Sequence, residues 1–203
     1  MDTNFNHEQS LTLINEMIQR AQNNVNKGKA YSFVILGYVL AAAAVAVYVL
    51  LHTLSNPNQS FWVWLVVLPA MVAMNFVERR VNGAKLVKTH IEKIGGMVWT
   101  GFGISCFVFL AVVFTIAFQL ETNAVLLLCT PLTLTFVGMA QFITACVFRN
   151  KMWYAIAAIF WAGAIACTLL LGDMQMIVFA VCMLFGYVVP GHILIHKAKK
   201  SHV

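Results

Sequence analysis

Charged side chains are scarce in this chain. Aspartate, glutamate, lysine and arginine make up 10% of its 203 residues, whereas hydrophobic residues make up 61%. A soluble domain carries roughly a quarter charged residues, and a chain of this length could not bury so much apolar surface in water. The composition therefore excludes an ordinary soluble enzyme or binding domain and predicts a protein whose natural solvent is lipid.

Catalytic motifs are missing as well. The sequence contains no G-x-S-x-G, no H-E-x-x-H and no P-loop, and its five cysteines form no C-x-x-C pair. All five cysteines fall within apolar runs, which favours a role as small packing residues over a disulfide framework or a zinc site. We expect no enzyme activity, no cofactor and no metal. The cysteines are Cys106, Cys129, Cys146, Cys167 and Cys182.

Long apolar runs are what the chain has instead. About 20 residues are needed to cross the hydrocarbon core of a bilayer as a helix, and a backbone exposed to lipid must satisfy its hydrogen bonds within the segment. The runs lack the alternation of barrel strands. We therefore predict an all-α polytopic membrane protein with six transmembrane helices in three hairpins. The runs cover residues 31–54, 61–77, 97–118, 124–148, 152–171 and 175–195.

The distribution of basic residues predicts the orientation. All thirteen Lys and Arg residues lie on one side of the six runs, and the loops on the other side carry only Glu121 and Asp173. The positive-inside rule places the basic side, with both termini, in the cytoplasm. Thirteen basic and five acidic residues give that side a formal charge of about +8. Topology and weak attraction to lipid headgroups account for this charge, so we expect no binding of nucleic acid.

An apolar stripe precedes the first run and predicts a cytoplasmic amphipathic helix. This helix forms the first of three predicted regions, 1–30, followed by the transmembrane domain 31–196 and a basic tail 197–203. Three roles stay open for residues 8–26: packing under the bundle, pairing with a second copy, and binding a cytoplasmic protein partner. The stripe consists of Leu11, Ile14, Ile18, Ala21 and Val25.

A second apolar stripe, within residues 78–96, predicts a basic interfacial helix that ends at Gly95 and Gly96. Its charges either set the topology or bind a ligand or lipid headgroup.

Polar side chains inside the runs define a candidate intramembrane site. Hydroxyls and amides in lipid usually bond across helices, which contributes on the order of 1 kcal/mol each. The absence of acidic or basic residues at mid-membrane disfavours ion-coupled transport. An alternative is a small oligomeric channel or facilitator for a neutral or lipophilic solute, with kinked helices 2, 4 and 6 around a cavity. The candidate residues are Asn75, Thr135, Gln141 and Thr144.

Three histidines near the basic side form a second candidate site, at the inner interface: His90, His192 and His196. The spacing of the last two can place two imidazoles on one metal ion. No Glu follows His192, however, and the adjacent Pro190-Gly191 pair can distort the helix, so we assign no metal.

Two stretches, "SLTLINEMIQRAQNN" near the start and "GYVVPGHILIHKAKK" near the end, resemble those of small six-span inner-membrane proteins of Bacteroidota. The shared closing motif is Gly186, Tyr187, Pro190 and Gly191, and His192 stands where an aromatic residue is expected. The resemblance implies a bacterial inner membrane and favours a sensing or regulatory role, with no assigned activity.

Taken with the absence of catalytic motifs, these patterns predict a sensing, regulatory or scaffolding module. The expected partners are membrane lipids and a cytoplasmic protein. Small-residue ridges, such as Ala158, Ala162 and Ala166, serve either internal packing or a homo-oligomer contact.

Overall fold

The structure is a computed structural model that describes residues 7–54, 57–82, 90–149, 151–170 and 172–200. Side-chain surroundings are described for residues 30–54, 59–77, 80, 93–149, 151–170 and 172–196. Within these ranges every regular element is helical and no strand occurs.

Seven α-helices and three tighter or wider helical turns make up the described part of the chain. Six stretches are long and apolar enough to cross a membrane, which confirms the prediction of an all-α, six-span polytopic fold. The chain is a multi-pass membrane protein. The elements are α1 His7–Thr53, a 3₁₀ helix Pro57–Val66 leading into α2 Val67–Asn82, α3 His90–Gln119, a 3₁₀ helix Asn123–Leu128 leading into α4 Cys129–Phe148, α5 Lys151–Leu169, α6 Met174–Met183, a π-helical turn Leu184–Val188, and α7 Val189–Lys200.

The spans lie close to the predicted runs. Hydrocarbon thickness fixes the length of a spanning helix, so apolar run length is a reliable guide to each span. The six candidate spans are Ala30–Thr53, Gln59–Val77, Lys93–Gln119, Asn123–Phe148, Lys151–Leu169 and Met174–His196.

Helix α1 joins the predicted amphipathic segment and the first span in one helix of 47 residues. No proline interrupts residues 7–53. At 1.5 Å of rise per residue the helix is about 70 Å long, more than twice the ~30 Å thickness of a hydrocarbon core. The N-terminal half of α1 therefore extends beyond the membrane as a continuation of the first span. The side chains of the predicted stripe, residues 8–26, lie outside the described residues.

The predicted end of an interfacial helix at Gly95 and Gly96 is wrong. Helix α3 begins at His90 and passes through both glycines into the third span. Glycine is tolerated within membrane helices, where the backbone keeps its own hydrogen bonds, and the Phe148 ring lies 3.5 Å from a Cβ position on Gly95. Residues 83–89 of the predicted interfacial helix lie outside the described part of the chain.

The spans divide into a central group and two peripheral helices. In the most apolar 18 residues of the spans formed by α1, α4, α5 and α6–α7, between 33% and 50% of the residues are buried, against 6% in the spans formed by α2 and α3. Helix α2 packs along α1, and α3 packs along α4. The core of the molecule thus lies among four spans, and much of the apolar surface of α2 and α3 faces outward.

Candidate functional site

The last span contains a π-helical turn at Leu184–Val188, between α6 and α7. The amide of Val189 donates to the carbonyl of Leu184, five residues earlier. Proline 190 lacks an N–H, so in a regular α-helix it could not satisfy the carbonyl of Gly186. A wider turn accommodates such a missing donor, and single π turns are frequent at functional sites.

Tyr187, in the π turn, lies at the centre of an aromatic cluster. Its ring centroid is 5.4 Å from that of Phe33 on α1 and 5.4 Å from that of Phe160 on α5. Phe33 in turn contacts Trp153 at 5.2 Å. Each such pair contributes about 0.5–1.5 kcal/mol beyond its buried area. The Tyr187 side chain therefore packs the π turn against both the first and the fifth span.

Gln141 lies on α4 with none of its surface exposed. The Tyr187 hydroxyl approaches its amide, but within the described residues neither Nε2 nor Oε1 has a partner at hydrogen-bonding geometry. A buried polar group left without a partner destabilises a fold by about 1–3 kcal/mol. Such a group in a native structure calls for an explanation, and a functional role is one of the main candidates. We call Gln141, Tyr187, Phe33 and Phe160 the Gln141–Tyr187 centre.

Thr144 shares the buried face of α4 with Gln141, one turn away. Its hydroxyl donates to the carbonyl of Ala140 at 2.7 Å, so the helix itself satisfies it. The structure thus brings together these two of the four predicted intramembrane residues.

Thr135 and Asn75 lie elsewhere. The Thr135 hydroxyl is partly buried and donates to the carbonyl of Pro131 at 2.9 Å. Asn75 is exposed on the peripheral helix α2, where its Nδ2 donates to the carbonyl of Met71 at 2.8 Å. Both side chains are bonded to their own helices, so neither one links two spans.

Two of the three predicted inner-interface histidines, His192 and His196, lie on α7. His192 and His196 are exposed one turn apart on α7. The His192 Nε2 lies 3.4 Å from the Tyr38 hydroxyl, with the two rings edge to face at 6.2 Å. His90 begins α3, and its side chain lies outside the described residues. The position of His192 thus gives it a packing role between α7 and α1.

Gln175 is a buried polar residue that the sequence does not single out. Its Nε2 donates to the carbonyl of Cys167 at 3.0 Å, which ties the start of α6 to α5. Sequence reasoning identified Tyr187 only as part of the Gly-Tyr-x-x-Pro-Gly stretch. That stretch does not indicate which side chains Tyr187 contacts. Contacts among three separate spans have no signature along the chain.

The chain matches no family model, no curated protein and no solved structure.

Proposed function

We propose that this protein is a membrane-embedded sensing, regulatory or scaffolding module without catalytic chemistry of its own. In this proposal the Gln141–Tyr187 centre responds to the state of the membrane, and α1 carries the response out of the bilayer. The observation that carries the proposal is the contact of α1 with the π turn. A Cβ on Gly37 would lie 2.9 Å from the Tyr187 Cβ and 2.7 Å from the Val188 Cγ2.

This close packing couples the π turn to α1. Packed interiors respond to a displacement by switching between discrete arrangements, because they deform little. A change in the π turn would rotate Tyr187 against Phe33 and shift the backbone next to Gly37. Since α1 is continuous from His7 to Thr53, its N-terminal half would move with the first span.

The Gln141 amide has no partner at hydrogen-bonding geometry among the described residues, and this supports a second arrangement of similar energy. An alternative packing that gave this amide a hydrogen bond would recover part of the free energy that the present one forgoes. Bilayer thickness or lateral lipid packing would then stabilise one arrangement more than the other. Such a difference is what any signal needs in order to shift the populations of two states.

The proposed setting is a bacterial inner membrane with both termini in the cytoplasm. The one-sided distribution of Lys and Arg supports this orientation. The output is then read in the cytoplasm, through residues 8–26, by a protein partner or by a second copy of the chain.

The alternative is an oligomeric facilitator for a neutral or lipophilic solute. The Gln141 amide favours it, because within the described part of the chain this amide has no partner at hydrogen-bonding geometry and a passing solute could bond there. Against it, Gln141, Leu134 and Phe160 are all fully buried, so among the described residues no open passage reaches these side chains.

Spin-label distances test the coupling. In a cysteine-free background, labels at positions 19 and 151 report the motion of the N-terminal part of α1 relative to α5. Reconstitution in bilayers of short and long acyl chains varies the thickness. We expect the distance distribution to shift with thickness in the otherwise unaltered protein and to become insensitive in Gln141→Leu. A matched control, Thr115→Val on the lipid-facing side of α3, should shift as the parent does. A distance independent of thickness in the parent protein would overturn the proposal.

Photo-crosslinking separates the three roles of the N-terminal stripe. A photoreactive residue at Leu11 or Ile18 should yield a product with a cytoplasmic protein or a dimer, and a label at Glu16, on the opposite face of the helix, serves as the control. Products confined to the monomer would assign the stripe to packing under the bundle.

A further inference from the structure

An open cleft of about 700 Å³ lies on the side of the molecule opposite the basic loops. It separates the start of the second span from the end of α3. Its walls are mostly aromatic and aliphatic, and polar groups stand at one end, where the chain turns from α3 into the next 3₁₀ helix. The lining includes Phe61, Phe114, Phe118, Glu121, Asn123 and Leu126.

Glu121 is the charged group of this cleft, and its position is unfavourable for a carboxylate. It follows the carboxyl end of α3, where the helix dipole places partial negative charge. Its backbone has φ 50°, in the left-handed region that favours glycine. Among the described residues, no basic side chain forms an ion pair with the Glu121 carboxylate.

Asp173 shows the contrast on the same side of the molecule. Its Oδ2 lies 2.8 Å from the Nε2 of His52, and its Oδ1 accepts a hydrogen bond from the amide of Met174 at the start of α6. Of the two acidic residues that the sequence places on this side, one is therefore paired by the fold. The other, Glu121, borders an open cleft.

We infer that the cleft binds the headgroup of a phospholipid that carries a primary ammonium group, such as phosphatidylethanolamine. The ammonium would bond to the Glu121 carboxylate and lie against the exposed rings of Phe61 and Phe118, since cations are attracted to aromatic faces. The Asn123 amide offers N–H groups to the phosphate. The apolar wall, with Phe114 and Leu126, would hold the start of the acyl chains.

Charge and hydrogen bonding select this lipid among those of a membrane. An anionic headgroup, such as phosphatidylglycerol, would be repelled by Glu121. A quaternary ammonium, as in phosphatidylcholine, cannot donate the hydrogen bond that a carboxylate accepts from a primary ammonium. The inference is independent of the proposed coupling through Gln141, because the cleft shares no residue with that centre.

Calorimetric titration with short-chain lipids tests the inference. Full-length protein in a neutral maltoside detergent is titrated with dihexanoyl phosphatidylethanolamine and with dihexanoyl phosphatidylglycerol. We expect the former to bind at least fivefold more tightly. Glu121→Gln should abolish that preference, whereas Asp173→Asn, which removes the other carboxylate of the same side, should keep it.

Two additional variants guard against loss of structure. Glu121→Asp retains the charge and should retain the preference, and Phe118→Leu retains an apolar wall but should weaken binding of the ethanolamine lipid by at least twofold. Equal affinities for the two lipids, or a preference that survives Glu121→Gln, would overturn the inference. Binding of octylammonium without binding of the ethanolamine lipid would also overturn it, since the site would then take a free amine.

Discussion

Gly186 of the π turn lies directly against the ring of Phe160 on α5. A Cβ at position 186 would overlap the outer ring atoms of this phenylalanine, and Phe160 is fully buried. The last span and the fifth therefore approach as closely as they do because residue 186 has no side chain. In lipid, where helices gain no hydrophobic stabilisation from each other, such close packing is a main source of association.

We predict that Gly186→Ala destabilises the protein by about 1–3 kcal/mol, the usual range for overpacking a core. Gly101→Ala is the matched control, since no atom of another described segment lies within 4 Å of a Cβ at position 101 of α3. It should be neutral or stabilising by up to about 1 kcal/mol, because alanine favours a helix over glycine. Reversible unfolding in detergent measures both, and equal effects of the two substitutions would contradict the packing described.

The two buried glutamines should respond oppositely to the same substitution. Gln141→Leu removes an amide without a described hydrogen bond and should raise the free energy of unfolding by about 1–3 kcal/mol. Gln175→Leu removes the bond to the Cys167 carbonyl and should lower it by about 0.5–1.5 kcal/mol. Unfolding of the two variants side by side is the measurement. A loss of stability in Gln141→Leu would show that its amide has a partner.

Tyr187 should be sensitive to loss of its ring and tolerant of loss of its hydroxyl. Tyr187→Leu removes the contacts with Phe33 and Phe160 and should destabilise the protein by about 1–3 kcal/mol. Tyr187→Phe keeps both rings in contact and should change the stability by less than about 1 kcal/mol. A larger effect of Tyr187→Phe would show that the hydroxyl, which approaches Gln141, contributes more to the free energy of unfolding than the ring contacts do.

The contact between His52 and Asp173 should contribute little to stability. Both ring nitrogens of His52 face acceptor oxygens, Nδ1 the carbonyl of Tyr48 at 2.9 Å and Nε2 the carboxylate at 2.8 Å. Because the side chains are 51% and 38% exposed, a double-mutant cycle should give a coupling of about 0.2–1 kcal/mol. The coupling should fall at high salt, and a coupling above 2 kcal/mol would contradict a solvent-exposed pair.

Cysteine labelling checks the orientation. In a cysteine-free background, Thr122→Cys should react with a membrane-impermeant maleimide added to spheroplasts, because its loop lies opposite the basic side. Lys199→Cys should react only after the membrane is opened. The reverse pattern would invert the proposed topology and move the output of α1 to the other compartment.

The number and approximate position of the spans could be predicted because they depend on a one-dimensional quantity. Bilayer thickness sets how many apolar residues a crossing needs, and the backbone must form helices there. The first predicted run, 31–54, agrees with the span Ala30–Thr53 to within one residue at each end. The predicted helix end at Gly95 and Gly96 was wrong because the rule that glycine ends a helix comes from helices whose ends meet water.

The packing of the spans was decided only in the tertiary structure. In water, apolar residues mark the buried face of a helix, but in lipid both faces are apolar and this signal disappears. Asn75 and Gln141 are both amides within spans, yet one is exposed and bonded to its own helix whereas the other is fully buried without a described partner. Tyr187 meets Phe33 and Phe160 because three distant segments converge there. The sequence by itself determined that this chain crosses the membrane six times, and the three-dimensional packing decided which of its polar groups the spans enclose.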